Sequence, residues 1–205
     1  MRYRVLRKLV SVGCLLSVIG CGPDVRLITG AGGGLPGRMP RQERIENAGL
    51  EYYWSLDLDL LDDEQVGSLH LRDENLYAYT SGGRVVCIDA TRGLTRWSAR
   101  LTDAGKRLYA PCHADDVLLA ADRGIAGILD PTDSSKLKPF NAVCINTLSR
   151  LIVLNRDTGE TVRDLKLDFA AGTAGDTDGS MFYVADAQGR FYAVRLAEGL
   201  VQWTM

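Results

Sequence analysis

Two stretches of the chain align without a gap: Leu76–Trp97 (LYAYTSGGRVVCIDATRGLTRW) and Phe182–Trp203 (FYVADAQGRFYAVRLAEGLVQW). A third, partial copy is Ser149–Arg163, which has Arg163 where the others have Trp. Self-similarity of this kind is typical of repeat architectures. The residues that we expect to carry the repeat are Gly83, Gly93, Trp97, Gly159, Gly189, Gly199 and Trp203.

Each copy alternates short β-branched and aromatic runs with turn residues, which predicts consecutive antiparallel strands. In the first copy, a strand over 76–80 turns at Gly83 into a strand over 85–89, which turns at Gly93 into a third strand carrying Trp97. Glycine in the left-handed region closes hairpin loops of this length. The Trp side chain supplies a large apolar surface for packing one sheet on the next. The sequence therefore predicts an all-β fold of stacked sheets.

The repeat resembles the quinoprotein-type (PQQ-like) β-propeller repeat, in which a Gly-x₃-Trp ending closes most blades. Gly93 with Trp97 and Gly199 with Trp203 match this ending in full, whereas Gly159 matches only its first half. The resemblance covers residues 50–205. It implies a β-propeller of four-stranded antiparallel blades.

The resemblance implies an incomplete propeller, because residues 49–205 number 157, which is enough for about three to four blades. From Gly159 to Gly199 the repeat is 40 residues, but from Gly93 to Gly159 it is 66. We expect an insertion at 124–148; the alternative is a degenerate further copy there. The family closes a ring of seven or eight blades, so the chain is either part of a longer propeller or a half-propeller that closes by dimerising.

The N-terminus has the layout of a signal peptide at residues 1–20, with a basic start and an apolar run over 9–19. The run ends in Val18-Ile19-Gly20-Cys21, which resembles the lipobox of bacterial lipoproteins. That resemblance implies lipidation of Cys21 and anchoring to the outer membrane, facing the periplasm or the surface. The alternative is an ordinary cleaved signal peptide followed by a chance cysteine.

Residues 21–48 are rich in Gly and Pro and are predicted to be a flexible tether. Within them Gly32–Gly37 matches the G-x-G-x-x-G pattern of dinucleotide sites. Pro36 and Pro40 argue against the helix that such a site needs at its last glycine. We therefore expect no nucleotide site there.

The charge balance argues against a nucleic-acid partner. The chain has 24 Lys plus Arg and 26 Asp plus Glu, which gives a net charge of −2. Four of the basic residues lie in the predicted signal peptide. Its removal therefore leaves 20 basic and 26 acidic residues, a net charge of −6. A mildly acidic chain without a basic stripe lacks the electrostatic footprint of nucleic-acid binding.

No catalytic, metal or cofactor site is predicted. The two histidines, His70 and His113, lie in no zinc or nucleophile motif. Three cysteines remain outside the signal peptide and the lipidation site, and an oxidising compartment would allow them one disulfide at most. The sequence leaves open which two of them pair, or whether all three stay as buried thiols. They are Cys87, Cys112 and Cys144.

Together, the repeat and the lipobox resemble the BamB-type lipoproteins of the outer-membrane β-barrel assembly machinery. This resemblance implies a non-enzymatic, membrane-anchored scaffold that binds a protein partner, without a cofactor and without an evident small-molecule substrate. Two alternatives stay open: a fragment of a propeller similar to quinone-dependent dehydrogenases, and a sensor module of a surface signalling protein.

Overall fold

The computed structural model describes residues 46–119 and 139–205. The predicted signal peptide, Cys21 and the tether up to residue 45 lie outside the described residues, as do residues 120–138.

The described residues form three four-stranded antiparallel sheets, and in each sheet the strands follow one another in chain order. This confirms the predicted all-β fold of four-stranded blades. Blade 1 consists of β1 (Val66–Arg72), β2 (Asn75–Thr80), β3 (Arg84–Asp89) and β4 (Leu94–Arg100). Blade 2 consists of β5 (Cys112–Val117), β6 (Phe140–Asn146), β7 (Arg150–Asn155) and β8 (Thr161–Lys166). Blade 3 consists of β9 (Asp176–Thr177), β10 (Met181–Ala185), β11 (Phe191–Arg195) and β12 (Val201–Thr204).

The additional residues of blade 2 lie between its first two strands. The β1–β2 connection is only two residues long, whereas residues 118–139 connect β5 to β6. The predicted insertion at 124–148 is therefore corrected at its C-terminal end, because 140–146 form β6 at the centre of the blade. The reason is packing: Ala142, Val143, Cys144 and Ile145 are all fully buried, with successive side chains on opposite faces of the sheet.

The blades pack face to face through two apolar layers. Blades 1 and 2 share a cluster that includes Tyr77 and Trp97 on one side and Val143 and Ile152 on the other. Blades 2 and 3 share a second cluster that includes Cys144 and Val153 from blade 2 and Phe182 and Val194 from blade 3. The remaining face of blade 1 is covered by residues 54–60 of the chain before β1.

All three blades contain the same irregularity between their third and fourth strands. The pairing shifts after Cys87 in blade 1, after Val153 in blade 2 and after Ala193 in blade 3. The residues paired with these three positions are Trp97, Arg163 and Trp203, respectively. The turns before the fourth strands are also alike, since Gly93, Gly159 and Gly199 have φ angles of 67°, 74° and 73°. The three copies aligned in the sequence are therefore equivalent in structure.

Candidate functional site

The most regular site in the molecule is the contact that a fourth-strand tryptophan makes with the next blade. Trp97 is 7% exposed, and its indole Nε1–H donates a hydrogen bond of 2.7 Å to the carbonyl oxygen of Arg156 in blade 2. Its ring lies directly over Gly159, because a Cβ atom added there would be 2.6 Å from Trp97 Cδ2. Gly159 therefore has two roles: it adopts the positive φ angle of the turn, and its lack of a side chain leaves room for the indole.

Trp54 repeats this contact on blade 1. Its indole Nε1–H donates to the carbonyl oxygen of Ala90 at 2.8 Å, and a Cβ atom on Gly93 would be 2.5 Å from the ring. In both cases the acceptor lies three residues before the glycine. Sequence reasoning assigned these glycines to turns alone and missed their second role. The signal was present, because Tyr53-Trp54-Ser55-Leu56 is similar to Arg96-Trp97-Ser98-Ala99.

The contact between blades 2 and 3 has a different side chain. Arg163 occupies the tryptophan position, is 8% exposed, and directs its Nε–H to the carbonyl oxygen of Ala197 at 3.4 Å. A Cβ atom on Gly199 would first meet Leu165, at 3.2 Å. Here a guanidinium and a leucine replace the indole, so this glycine is less tightly covered than Gly159.

Trp203 occupies the same position in blade 3 but is 46% exposed. Its neighbours on the same face are Tyr183, with ring centroids 6.2 Å apart, and Phe191, which is also exposed. Phe182 and Val194, on the opposite face, pack against blade 2. Tyr183, Phe191 and Trp203 therefore form an aromatic surface, which we call the open face of blade 3.

The remaining predicted repeat residues lie in turns. Gly83 closes the β2–β3 turn and Gly189 closes the β10–β11 turn, with φ angles of 78° and 85°. Ser149 takes the equivalent place in blade 2, and there the Thr147 hydroxyl accepts a hydrogen bond of 3.0 Å from the Arg150 N–H.

A chain of polar groups crosses from blade 1 to blade 2 beside Trp97. His113 Nδ1 lies 2.7 Å from the Asp73 carboxylate, and His113 Nε2 lies 2.8 Å from the Tyr77 hydroxyl. Burial lowers the pKa of His113, and the hydrogen bond to Asp73 opposes this shift. Burial raises the pKa of Tyr77 well above its ordinary value. The imidazole is therefore neutral, with Nδ1–H donating to Asp73 and the Tyr77 O–H donating to Nε2.

This arrangement holds the two blades together and supplies no activated nucleophile, because the raised pKa keeps the Tyr77 hydroxyl protonated. His113 also lines an open cavity of about 520 Å³ with Arg72, Cys112 and Asp176. His70 is a separate group: its Nε2 lies 3.1 Å from Ser68 Oγ, and its ring packs against Tyr79. The residues that the structure describes contain no group of three His, Cys, Asp or Glu side chains placed to hold a metal ion.

Blade 3 has its own buried carboxylate in the β10–β11 turn. Asp186 accepts hydrogen bonds from Arg190 Nε at 2.7 Å and from the Tyr192 hydroxyl at 3.0 Å, and its other oxygen accepts the N–H groups of Gln188 and Arg190. Burial raises the pKa of Asp186, but these hydrogen bonds outweigh it and lower the pKa to about 2. The charged form of Asp186 thus holds the turn.

The three cysteines outside the N-terminal region are buried free thiols. Cys112 and Cys144 are direct cross-strand partners in blade 2. Cys87 lies in blade 1, where its thiol donates to Asn75 Oδ1 at 3.4 Å. Within residues 46–119 and 139–205, no helix has the length and apolar character needed to cross a bilayer.

The family model for the outer membrane protein assembly factor BamB matches residues 51–137. This segment is BamB-like. It covers all of blade 1 and the first strand of blade 2, and so includes the Trp54 and Trp97 side chains that dock on glycine turns. A search of the curated proteins gave no match.

Among solved structures, BamB from Moraxella catarrhalis is similar, with a TM-score of 0.46 and 19% identity over 75% of this chain and 40% of that chain. The Pan2 WD40 domain of Neurospora crassa also has a TM-score of 0.46, with 12% identity over 76% of this chain and 40% of that one. A europium-containing methanol dehydrogenase has a TM-score of 0.46, with 13% identity over 78% of this chain and 36% of that one. The chain thus spans about two fifths of the length of these structures.

Proposed function

We propose that this protein is a non-enzymatic scaffold of the cell envelope, anchored to the outer membrane by a lipid on Cys21, which binds a protein partner in outer-membrane protein assembly. The observation that carries the proposal is the match of residues 51–137 to the BamB family model. That factor is described by its role in assembling outer-membrane proteins. The lipobox-like Val18–Cys21 supports the same location.

The chemistry of the described residues supports a binding role. Two sets of polar side chains are engaged within the fold: His113 bonds to Asp73 and Tyr77 across two blades, and Asp186 bonds to residues of its own turn. The open face of blade 3 presents three exposed aromatic side chains instead. Aromatic residues are enriched in the centres of protein–protein interfaces, where they contribute much of the binding energy.

Lipidation and location can be tested on the full chain in a Gram-negative bacterium. Mass spectrometry of the mature protein should show an acylated Cys21 as the first residue, and the protein should sediment with outer membranes. The Cys21→Ser variant should leave the membrane fraction, while a Cys87→Ser control should remain in it. An unmodified N-terminus at another residue would contradict the anchor.

The binding role requires a second experiment. A photo-crosslinking amino acid is placed at Phe191 on the open face and, as a control of similar exposure, at Leu94 on blade 1, which are 55% and 60% exposed. We expect the Phe191 position to crosslink to an identified protein of the outer-membrane assembly machinery and the Leu94 position not to. Purification of the chain with a quinone absorbance band and dye-linked alcohol oxidation would instead support the dehydrogenase alternative and overturn the proposal.

A further inference from the structure

Cys112 and Cys144 lie opposite each other in the ladder between β5 and β6. Their Cα atoms are paired directly, and the pairing continues regularly through His113 with Val143 and Ala114 with Ala142. Directly opposed residues of an antiparallel ladder have Cα atoms about 4.5–5.5 Å apart. Disulfides span Cα separations of about 4.4–6.8 Å, so the backbone here already has the spacing that a disulfide needs.

The two side chains also lie on the same face of blade 2. Both belong to the apolar cluster between blades 2 and 3, and Cys112 Sγ lies 3.7 Å from the carbonyl oxygen of Cys144. The hydrogen bond with the Cys112 thiol and burial raise the pKa of Cys144. The two thiols therefore lie side by side on one face of adjacent strands.

Access to the pair comes from one side. Cys112 is 6% exposed and lines the open cavity of about 520 Å³, whereas Cys144 is fully buried. A small disulfide in this cavity would reach Cys112 first, and Cys144 would act as the second thiol from within the core.

We propose that Cys112 and Cys144 form a disulfide within blade 2 when the protein meets a small disulfide oxidant such as oxidised glutathione. The Cys112 thiolate attacks one sulfur of the oxidant, which forms a mixed disulfide and releases one glutathione thiolate. The Cys144 thiolate then attacks the Cys112 sulfur and releases the second glutathione. The two cysteines are oxidised, the oxidant is reduced to two glutathiones, and these take up the two protons that the cysteines lose.

Cys87 is the third thiol and stays reduced. Its ladder partners are Tyr77 and Trp97, and it faces the cluster between blades 1 and 2 rather than the one that contains Cys144. Of the three pairings that the sequence left open, the geometry therefore favours Cys112 with Cys144.

The disulfide would fasten the first strand of blade 2 to its second strand. The two cysteines are 32 residues apart and enclose the long β5–β6 connection. Closing a loop of this length restricts the unfolded chain and so favours the folded blade.

Peptide mapping tests the pairing. The purified full chain is equilibrated with oxidised glutathione, alkylated without reduction and digested with trypsin, which yields separate peptides for the three cysteines: Leu108–Arg123, Leu137–Arg150 and Val85–Arg92. We expect the first two joined, at the sum of their masses less two hydrogens, and the third alkylated as a free thiol. Alkylation of both Leu108–Arg123 and Leu137–Arg150, or a link from either to Val85–Arg92, would overturn the proposal.

Thermal unfolding gives an independent measure. Reduction should lower the melting temperature of the oxidised wild-type chain by on the order of 5–10 °C, the scale expected for a loop of this size. The Cys87→Ser variant should show the same shift, and Cys112→Ser and Cys144→Ser should show none. An equal shift in Cys112→Ser would mean that the reductant acts elsewhere and would contradict the assignment.

Discussion

Trp97 and Trp203 occupy the same position of the repeat, and their surroundings differ. Each pairs with the third-strand residue that precedes the shared irregularity, Cys87 for Trp97 and Ala193 for Trp203. Trp97 is 7% exposed and docks on a glycine turn of blade 2, whereas Trp203 is 46% exposed. Among the described residues, none accepts a hydrogen bond from the Trp203 indole. The repeat thus determines the strand position of the tryptophan. The tryptophan becomes buried only where a neighbouring blade packs against it.

Truncating the two tryptophans should give the largest contrast. We expect Trp97→Ala to lower the free energy of unfolding by about 3–5 kcal/mol, because it empties a large buried volume and leaves the Arg156 carbonyl without its donor. Trp203→Ala should cost less than about 1 kcal/mol, as is usual for exposed positions. Urea denaturation followed by circular dichroism measures both. Equal losses for the two variants would show that Trp203 is buried in solution.

A second contrast separates docking from backbone strain at the turn glycines. Gly159 and Gly189 both have positive φ angles, but a Cβ atom on Gly159 would meet the Trp97 ring, whereas none of the described atoms lies within 4 Å of one on Gly189. Gly189→Ala should therefore cost only the backbone strain, about 1–2 kcal/mol. Gly159→Ala should cost about 2–4 kcal/mol, since strain and the displaced indole add.

The same denaturation experiment measures both glycine variants. In a Trp97→Ala background, the additional cost of Gly159→Ala should shrink to that of Gly189→Ala. A cost that does not change in this background would mean that the indole does not lie over Gly159.

The repeat made the strands around Gly83, Gly93, Gly189 and Gly199 predictable, because hairpin turns are encoded by neighbouring residues. The first strand of blade 2 was harder to predict. It contains adjacent acids, Asp115 and Asp116, and it pairs with β6 across a long connection. The C-terminal limit of the predicted insertion was wrong for the same reason, because the start of β6 depends on its pairing with distant strands and not on a turn motif beside it.

The contacts between blades could not be read from the sequence, because they join distant residues. His113 bonds to residues 40 and 36 positions away, and the Trp97 indole bonds to one 59 positions away. A strand position shows which face a side chain points to, but the partner depends on how two blades pack. The Trp54 contact could have been predicted, because residues 53–56 are similar to residues 96–99 and this similarity places Trp54 at the same repeat position as Trp97.

Acid should weaken blade 3 through Asp186. Its pKa is about 2 in the fold and 3.8 ordinarily, so its charged form contributes stability above pH 4 that is lost as the pH falls toward 2. We expect Asp186→Asn to be less stable than wild type at pH 6, and the difference to narrow between pH 4 and pH 2. The measurement is urea denaturation across this range, with the Trp203 indole N–H resonance as a local probe of blade 3. A difference that stays constant with pH would show that Asp186 is not held as a carboxylate.

The smallest effect should come from His113, at the junction that Trp97 also stabilises. Burial lowers the pKa of His113 below its ordinary value of 6.5, while Asp73 limits the shift by favouring the charged ring. The fold therefore prefers the neutral imidazole, and the preference is fully present above pH 6.5 and declines as the pH falls through the lowered pKa. The free energy of unfolding of the wild type should fall slightly from pH 7 to pH 5. The corresponding fall in the His113→Gln variant should be smaller.

Two indole resonances can locate this change. Tyr77 joins His113 to Trp97, with ring centroids 5.9 Å apart for Tyr77 and Trp97, so the Trp97 indole N–H resonance should move as His113 titrates. The Trp203 resonance should move less, because the ring contact of Trp203 is with Tyr183 rather than with Tyr77 or His113. A His113 pKa above 6.5 by NMR titration would mean that Asp73, rather than burial, decides its charge, and the junction would then strengthen on acidification instead of weakening.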